Sequence, residues 1–214
     1  LQNINASNNN PGVGCGAYAY GLYLSGSGNT IRNIIANNNG QICNGNAQGD
    51  GFVLQGSNNN LQNINANNNG NGLRLYGSNN ALQDINANNN NGGLNLYQSN
   101  SNTLQNITAS NNSDNGIKIY GPSNSNTFSS IAANNNGNYA QGGGFSINGD
   151  NNFFQDITAN NNGLVGGFYI SAANNNILQN ITANNNNGYY GYGLHLVFFN
   201  NNTISSSTFI SNNI

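Results

Sequence analysis

The chain has 214 residues, of which 60 are Asn and 29 are Gly, while only 4% are charged and the formal net charge is −2. Three Lys or Arg in all are too few for the counterion exchange that drives nucleic-acid binding, and no apolar run approaches the roughly 20 residues of a membrane-spanning helix. A hydrophobic share of 36% is below the roughly 45–50% of ordinary domains, so any core has to be assembled from few, regularly placed residues.

The first phrase, "LQNINASNNN", starts at Leu1. It recurs in close variants at Ile31, Leu61, Leu82, Leu104, Phe128, Phe154, Leu178 and Ile204. A repeat of this length points to stacked structural units. The starts mark eight full units and a ninth that stops early. Each unit carries an apolar residue, an Ile three positions on (Ile4 to Ile181) and an Ala two further (Ala6 to Ala183). After an Asn tract comes an alternating pair: Leu22/Leu24, Phe52/Leu54, Leu73/Leu75, and so on to Leu194/Leu196. Apolar residues two apart predict short strands with one buried face. The three-residue step from Leu82 to Ile85 requires a corner, and the residues that fill it (Asn3, Asn33, Asn63, Asp84, Asn106, Asp156, Asn180) tolerate left-handed backbone. Each unit thus reads as three short strands and three bends. Stacked units make an all-β, single-domain solenoid over residues 1–214, in which every coil is covered by its neighbours.

The nine "LQNI" phrases and eight "GLxL" strands resemble right-handed parallel β-helix proteins of the pectate-lyase-like class, above all the Asn-rich, NosD-like, carbohydrate-associated repeats of prokaryotic surface proteins. The resemblance covers essentially the whole chain. It implies a right-handed parallel β-helix with an Asn ladder at the short bend, on the Asn3-to-Asn180 column named above. The fold carries enzymes, adhesins and inert scaffolds alike.

The five carboxylates, Asp50, Asp84, Asp114, Asp150 and Asp156, form no pair at the about 5–9.5 Å separation of a glycosidase. They read as turn and ladder residues, and no metal or cofactor is expected. The outward positions of the first strand form the column Tyr23, Val53, Arg74, Asn95, Lys118, Ser146, Tyr169, His195. Arg74, Lys118 and His195 share it, and Tyr76, Tyr97 and Tyr120 run alongside. This column is either a sugar-binding face, with the tyrosines stacking on sugar rings, or the only place long side chains fit, with the tyrosines as a cross-strand ladder. The Thr/Asn array beginning at Asn65/Asn67 raises ice binding as a further reading, interrupted at Ile35 and Ala132. Cys15 and Cys43 fall in the insertions of the first two coils and are expected to form a disulfide, consistent with an exported protein. Asn5, Asn106, Asn111, Asn180 and Asn201 match the glycosylation pattern.

The first and last phrases are copies of one another, without the charged or helical caps that guard solenoid ends. The sequence therefore predicts a non-enzymatic extracellular or cell-surface structural subunit, partnered with itself head to tail in a filament, sheath or fibre. The alternative is a carbohydrate-binding or polysaccharide-degrading β-helix that meets cell-surface glycans through Arg74, Lys118 and the tyrosines.

Overall fold

Each coil turns three times because three of its positions are held in the left-handed region. In a computed structural model describing residues 1–9, 19–43, 46–137, 142–189 and 191–212, with the main chain alone for 41–43 and 46–48, the bend before each Ile has φ between 50° and 58° from Asn3 to Ser206. A second series runs Asn8, Asn38, Asn68, Asn89, Asn111, Asn135, Asn161, Asn185, Ser211, and a third Gly28, Asn58, Asn79, Ser101, Ser125, Asn151, Asn175, Asn201. Nearly all are Asn, Asp, Ser or Gly, residues that adopt this conformation at low cost or satisfy it with local hydrogen bonds.

Between the bends the chain is extended, and in the two main sheets it pairs with the coil before and the coil after. One sheet holds nine parallel strands, from Gln2–Asn5 through Thr103–Thr108 to Thr203–Ser205. Its strands contain the first bend, which divides each into two short segments, so every coil has three strand segments in all. The second sheet holds eight parallel strands, from Ala19–Ser25 to Leu194–Val197. A short antiparallel strand, Gln41–Cys43, pairs with Asn46–Gln55 off the main path of this sheet. The proposed Cys15–Cys43 disulfide lies outside the described residues.

Register is set by the apolar columns. Leu82, Leu104 and Phe128 stand opposite one another, as do Ile85, Ile107 and Ile131. Leu73, Leu94, Ile117 and Phe145 do so in the second sheet. A slip by one residue would turn every such side chain outward. These columns meet inside as one continuous core. In the middle coils aromatic residues replace Leu and Ile in register: Phe128 stacks on Phe154 at 4.8 Å, Phe145 on Phe168 at 4.5 Å, and Phe154 meets Phe145 edge-on at 6.1 Å.

The Ala column is small because a Gly column faces it. A Cβ placed on Gly72 would lie 2.7 Å from Ala87 Cβ and 2.7 Å from Asn90 Nδ2, and one on Gly116 would lie 2.9 Å from Ala133 Cβ and 2.6 Å from Asn136 Nδ2. The Gly of one coil thus interlocks with the Ala and Asn of the next.

The asparagine ladder expected at the first bend is present but exposed, and two further ladders are buried. At the first bend Asn33 donates to Asn3 at 2.8 Å, Asn63 to Asn33 at 2.9 Å, Asn180 to Asp156 at 2.6 Å, and Asn106 to Asp84. That column is largely exposed, and Ser130, with no amide, interrupts it. The buried, continuous ladders stand at the other two bends, each one residue after the left-handed position. One runs Asn9, Asn39, Asn69, Asn90, Asn112, Asn136, Asn162, Asn186, Asn212. The other runs Asn29, Asn59, Asn80, Asn102, Asn126, Asn152, Asn176, Asn202. In each the side-chain carbonyl accepts the backbone N–H of the preceding coil's Asn. Where the remaining amide hydrogens are used, they go to that coil's carbonyl groups or to the next amide, as Asn80 Nδ2 does to Gly56 O at 3.0 Å and Asn102 Oδ1 at 3.1 Å. The exposed column lost the burial role because its side chains point away from the core, where water competes for every bond.

Candidate functional site

The outward face of the second sheet gathers most of the chain's uncommon side chains. Pairing is in register from Val53 to Arg74, Asn95, Lys118, Ser146, Tyr169 and His195, so the column read from the sequence is a straight line along the solenoid. Arg74 and Lys118 are two rungs apart, roughly 10 Å at strand spacing. Tyr76, Tyr97 and Tyr120 stand opposite one another beside it. His195 is five rungs from Arg74, beyond the reach of a common small ligand.

The three tyrosines stack on each other. Ring centroids are 5.0 Å apart for Tyr76–Tyr97 and 4.4 Å for Tyr97–Tyr120, with planes within 13° and 8° of parallel. Both faces of Tyr97 are therefore covered, and Lys118 Nζ sits 4.7 Å from the Tyr120 ring centre. The three rings are half-buried. Burial, with Tyr120 as hydrogen-bond partner, pushes the Tyr97 hydroxyl well above its ordinary value. Burial also raises Tyr120, against the opposing hydrogen bond from Tyr97.

Two clefts flank this stack. The first, of about 200 Å³, is lined by Tyr20, Tyr23, Asp50, Val53, Gln55, Arg74 and Tyr76. Tyr20 and Tyr23 are exposed, with ring centres 5.8 Å apart, and the Tyr23 hydroxyl donates to Gln55 Oε1. Asp50 is the residue that sequence reasoning underrated. It is fully buried, its Oδ1 accepts from Asn71 Nδ2 at 2.8 Å, and it lies 3.2 Å from Arg74 Nε. Its Oδ2 has no hydrogen-bond partner. Burial raises its pKa above the ordinary carboxylate value, and Arg74 and Asn71 only partly offset this. Arg74 stays charged: burial works against it, but Asp50 and the neighbouring tyrosines more than compensate. The available signal was position, since Asp50 stands in register with Asn71 one strand residue from the Gly column. The other four carboxylates keep the turn and ladder roles expected of them or, in Asp114, lie at the surface.

The second cleft, of about 480 Å³, is lined by Asn115, Lys118, Ser146, Leu164, Val165, Tyr169 and His195. Lys118 Nζ is 3.9 Å from Asp114 Oδ2, and the His195 ring packs against Tyr169 and Tyr192 at 5.4 and 4.6 Å. Between the clefts the buried Asn95 donates to Asn71 Oδ1 at 2.7 Å, which continues the polar line from Asp50. Among the described residues no group of three or more His, Cys, Asp or Glu is placed to hold a metal ion. The glycosylation-pattern residues Asn5, Asn106, Asn111, Asn180 and Asn201 are all exposed.

Parallel coils, buried amide ladders and an outer face with two clefts define a β-solenoid. The family model described as "Right handed beta helix region" matches residues 20–141, more than half of the chain, and the chain belongs to that family. No curated protein sequence matches it. Among solved structures it is similar to the A-module of mannuronan C-5 epimerase AlgE6 from Azotobacter vinelandii, with a TM-score of 0.54 and 16% identity. The match covers 86% of this chain and 54% of that one, so the chain spans about half the length of the structure it matches. At that identity the likeness is one of fold.

Proposed function

We propose that the protein binds a polysaccharide along the outward face of its second sheet. The observation that carries this reading is the arrangement of two clefts on one straight face, each lined by an aromatic ring and a cation: the exposed Tyr20 and Tyr23 with Arg74 in the first, the half-buried Tyr169 with Lys118 in the second. Tyr20 and Tyr23 in the first cleft and Tyr169 in the second supply ring faces for sugars. The inner tyrosine stack supplies a stiff wall. Asp50 and Asp114 are three rungs apart, about 14 Å, beyond the separation of a glycosidase pair, which favours binding over hydrolysis. The similar solved structure is a mannuronan epimerase module, and a carbohydrate ligand accords with it. The nearly uncharged, Asn-rich surface with its exposed glycosylation-pattern residues suits an extracellular or cell-surface setting. Affinity electrophoresis against a polysaccharide panel tests the reading: Tyr23→Ala is expected to abolish retardation in at least one gel while leaving the far-UV spectrum unchanged. Retardation equal in both proteins across the panel overturns it.

A second reading is a structural subunit that assembles with itself. Both buried ladders run in one direction, each coil donating to the next. Copies stacked head to tail would extend them without a change of polarity, giving an open filament. Electron microscopy at rising concentration tests this, and monomers throughout remove it. Thermal hysteresis measured on the same sample tests ice binding on the Thr/Asn face.

A further inference from the structure

We infer that the outward face of the second sheet takes an uncharged, extended glycan and discriminates against acidic ones; this rests on the polysaccharide-binding reading above. The cations of this face are already paired. Of the three Lys and Arg in the chain, Arg32 lies in the first sheet, so this face holds two. Arg74 is held by the buried Asp50 at 3.2 Å, and Lys118 by Asp114 at 3.9 Å and by the face of Tyr120. A polyuronate or sulfated polymer needs free cations, and each of its anionic groups would meet an Asp beside every cation. The chain's net charge of −2 adds no long-range attraction for a polyanion.

Paired charges suit neutral sugars. A sugar hydroxyl can accept from a cation that stays paired with its carboxylate, and beside Lys118 it can also donate to the partly exposed Asp114, whereas the Asp50 carboxylate is buried. Arg74 and Lys118 keep side-chain exposures of 25% and 27%, enough to donate to a hydroxyl without leaving their carboxylates. Their spacing of two rungs, roughly 10 Å, is the length of a disaccharide unit in an extended chain. Equivalent hydroxyls on alternate units would therefore each reach a paired cation. Tyr23 and Tyr169, six rungs apart in the same column, lie at the two ends of that run. The ladders hold the rung spacing fixed, so the ligand meets a face already in its bound form.

The test uses the full chain in affinity electrophoresis and calorimetry, with neutral polymers (glucan, mannan, xylan, galactan) and acidic ones (polygalacturonate, alginate, dextran sulfate), each at low and high salt. Binding to at least one neutral polymer is expected, with an affinity that salt leaves unchanged. Arg74→Ala and Lys118→Ala should each weaken it by about tenfold, the loss of one charge-assisted hydrogen bond. Asp114→Asn unmasks Lys118 and should create salt-sensitive binding of the acidic polymers. Salt-sensitive binding of acidic polymers by the unaltered protein, with none of neutral ones, overturns the inference and leaves the polysaccharide reading standing. Asp114→Asn without gain for acidic polymers overturns the charge-masking argument. Binding to no polymer of either class overturns the polysaccharide reading itself.

Discussion

Replacing Asn102 by Ala tests what holds the coils together. Asn102 is 1% exposed. Its Oδ1 accepts from the backbone N–H of Asn80 at 2.8 Å and from Asn80 Nδ2 at 3.1 Å. Its Nδ2 donates to Gly77 O at 3.2 Å and Asn126 Oδ1 at 3.0 Å. Ala deletes all four bonds, each worth about 0.5–1.5 kcal/mol net. It also strands the buried Asn80 N–H, which costs about 1–3 kcal/mol, although Asn80 Nδ2 keeps Gly56 O. The expected loss is roughly 3–5 kcal/mol once partial relaxation is allowed. Position 102 follows the left-handed Ser101 and is not itself left-handed, so Ala adds no backbone strain. The comparison is Asn106→Ala, on the exposed column with φ 54°, where the loss is the left-handed cost of about 1–2 kcal/mol. Urea unfolding followed by circular dichroism gives the ranking, and hydrogen exchange at the Asn80 amide gives the mechanism. Equal losses at 102 and 106, or an Asn80 amide as protected as before, would refute the assignment of the buried ladder as the main polar support.

Three further outcomes follow from the same geometry. In Gly93→Ala the new Cβ would lie 2.3 Å from Gly116 O and 2.8 Å from Asn112 Nδ2, so overpacking should cost about 1–3 kcal/mol, read as a lower urea midpoint. Phe154→Ala opens the stack with Phe128 and the edge contacts with Phe145 and Phe168, and should lose about 3–5 kcal/mol in the same assay. Asp50 binds its proton more tightly in the folded chain than at its ordinary value of 3.8. The folded state therefore carries more protons between that value and the raised one, and stability falls as pH rises through the window. Asp50→Asn should remove this slope, which stability measured against pH will show; an unchanged slope assigns it to another group.

The coil, the apolar columns and the first-sheet register were legible because a burial pattern repeated nine times leaves little freedom. Ile85 and Leu82 announce both their strand and the bend between them. The first-bend ladder forms where it was expected, but the two buried ladders were not singled out, because sequence alone does not tell a buried amide from an exposed one. A cue was nevertheless present within the chain. The first-bend column varies among Asn, Asp and Ser (Asn63, Asp84, Ser130), whereas the positions of Asn39, Asn69, Asn90 and Asn112, and of Asn59, Asn80, Asn102 and Asn126, never change. A side chain that must donate and accept at once has no substitute, and water excuses substitution outside. At the site, the Arg74–Lys118–His195 column and the tyrosine line were readable from period alone. The burial of Asp50 and the mutual stacking of the tyrosines were not, because both depend on how neighbouring coils close over the side chains.

The scarcity of charge follows from the register. In a parallel, in-register solenoid each residue faces its counterpart in the next coil, so a charge repeated in a column faces itself, and like charges opposite one another destabilise a sheet. An amide is self-complementary and can repeat without limit. This explains why Arg74 and Lys118 are separated by Asn95 and why each has its own Asp. Asn95→Lys breaks both conditions by placing three cations on successive rungs about 4.8 Å apart. Each adjacent repulsion is about 1 kcal/mol in water and about 3–4 kcal/mol at the dielectric of a partly buried surface pair, and the mutation also removes the bond to Asn71. The variant should be less stable than Asn95→Ala at low salt and regain part of the difference at high salt, because partly buried charges are screened less than exposed ones. A deficit that salt does not change would mean that packing around the buried Asn95, rather than charge, limits which residues the column accepts.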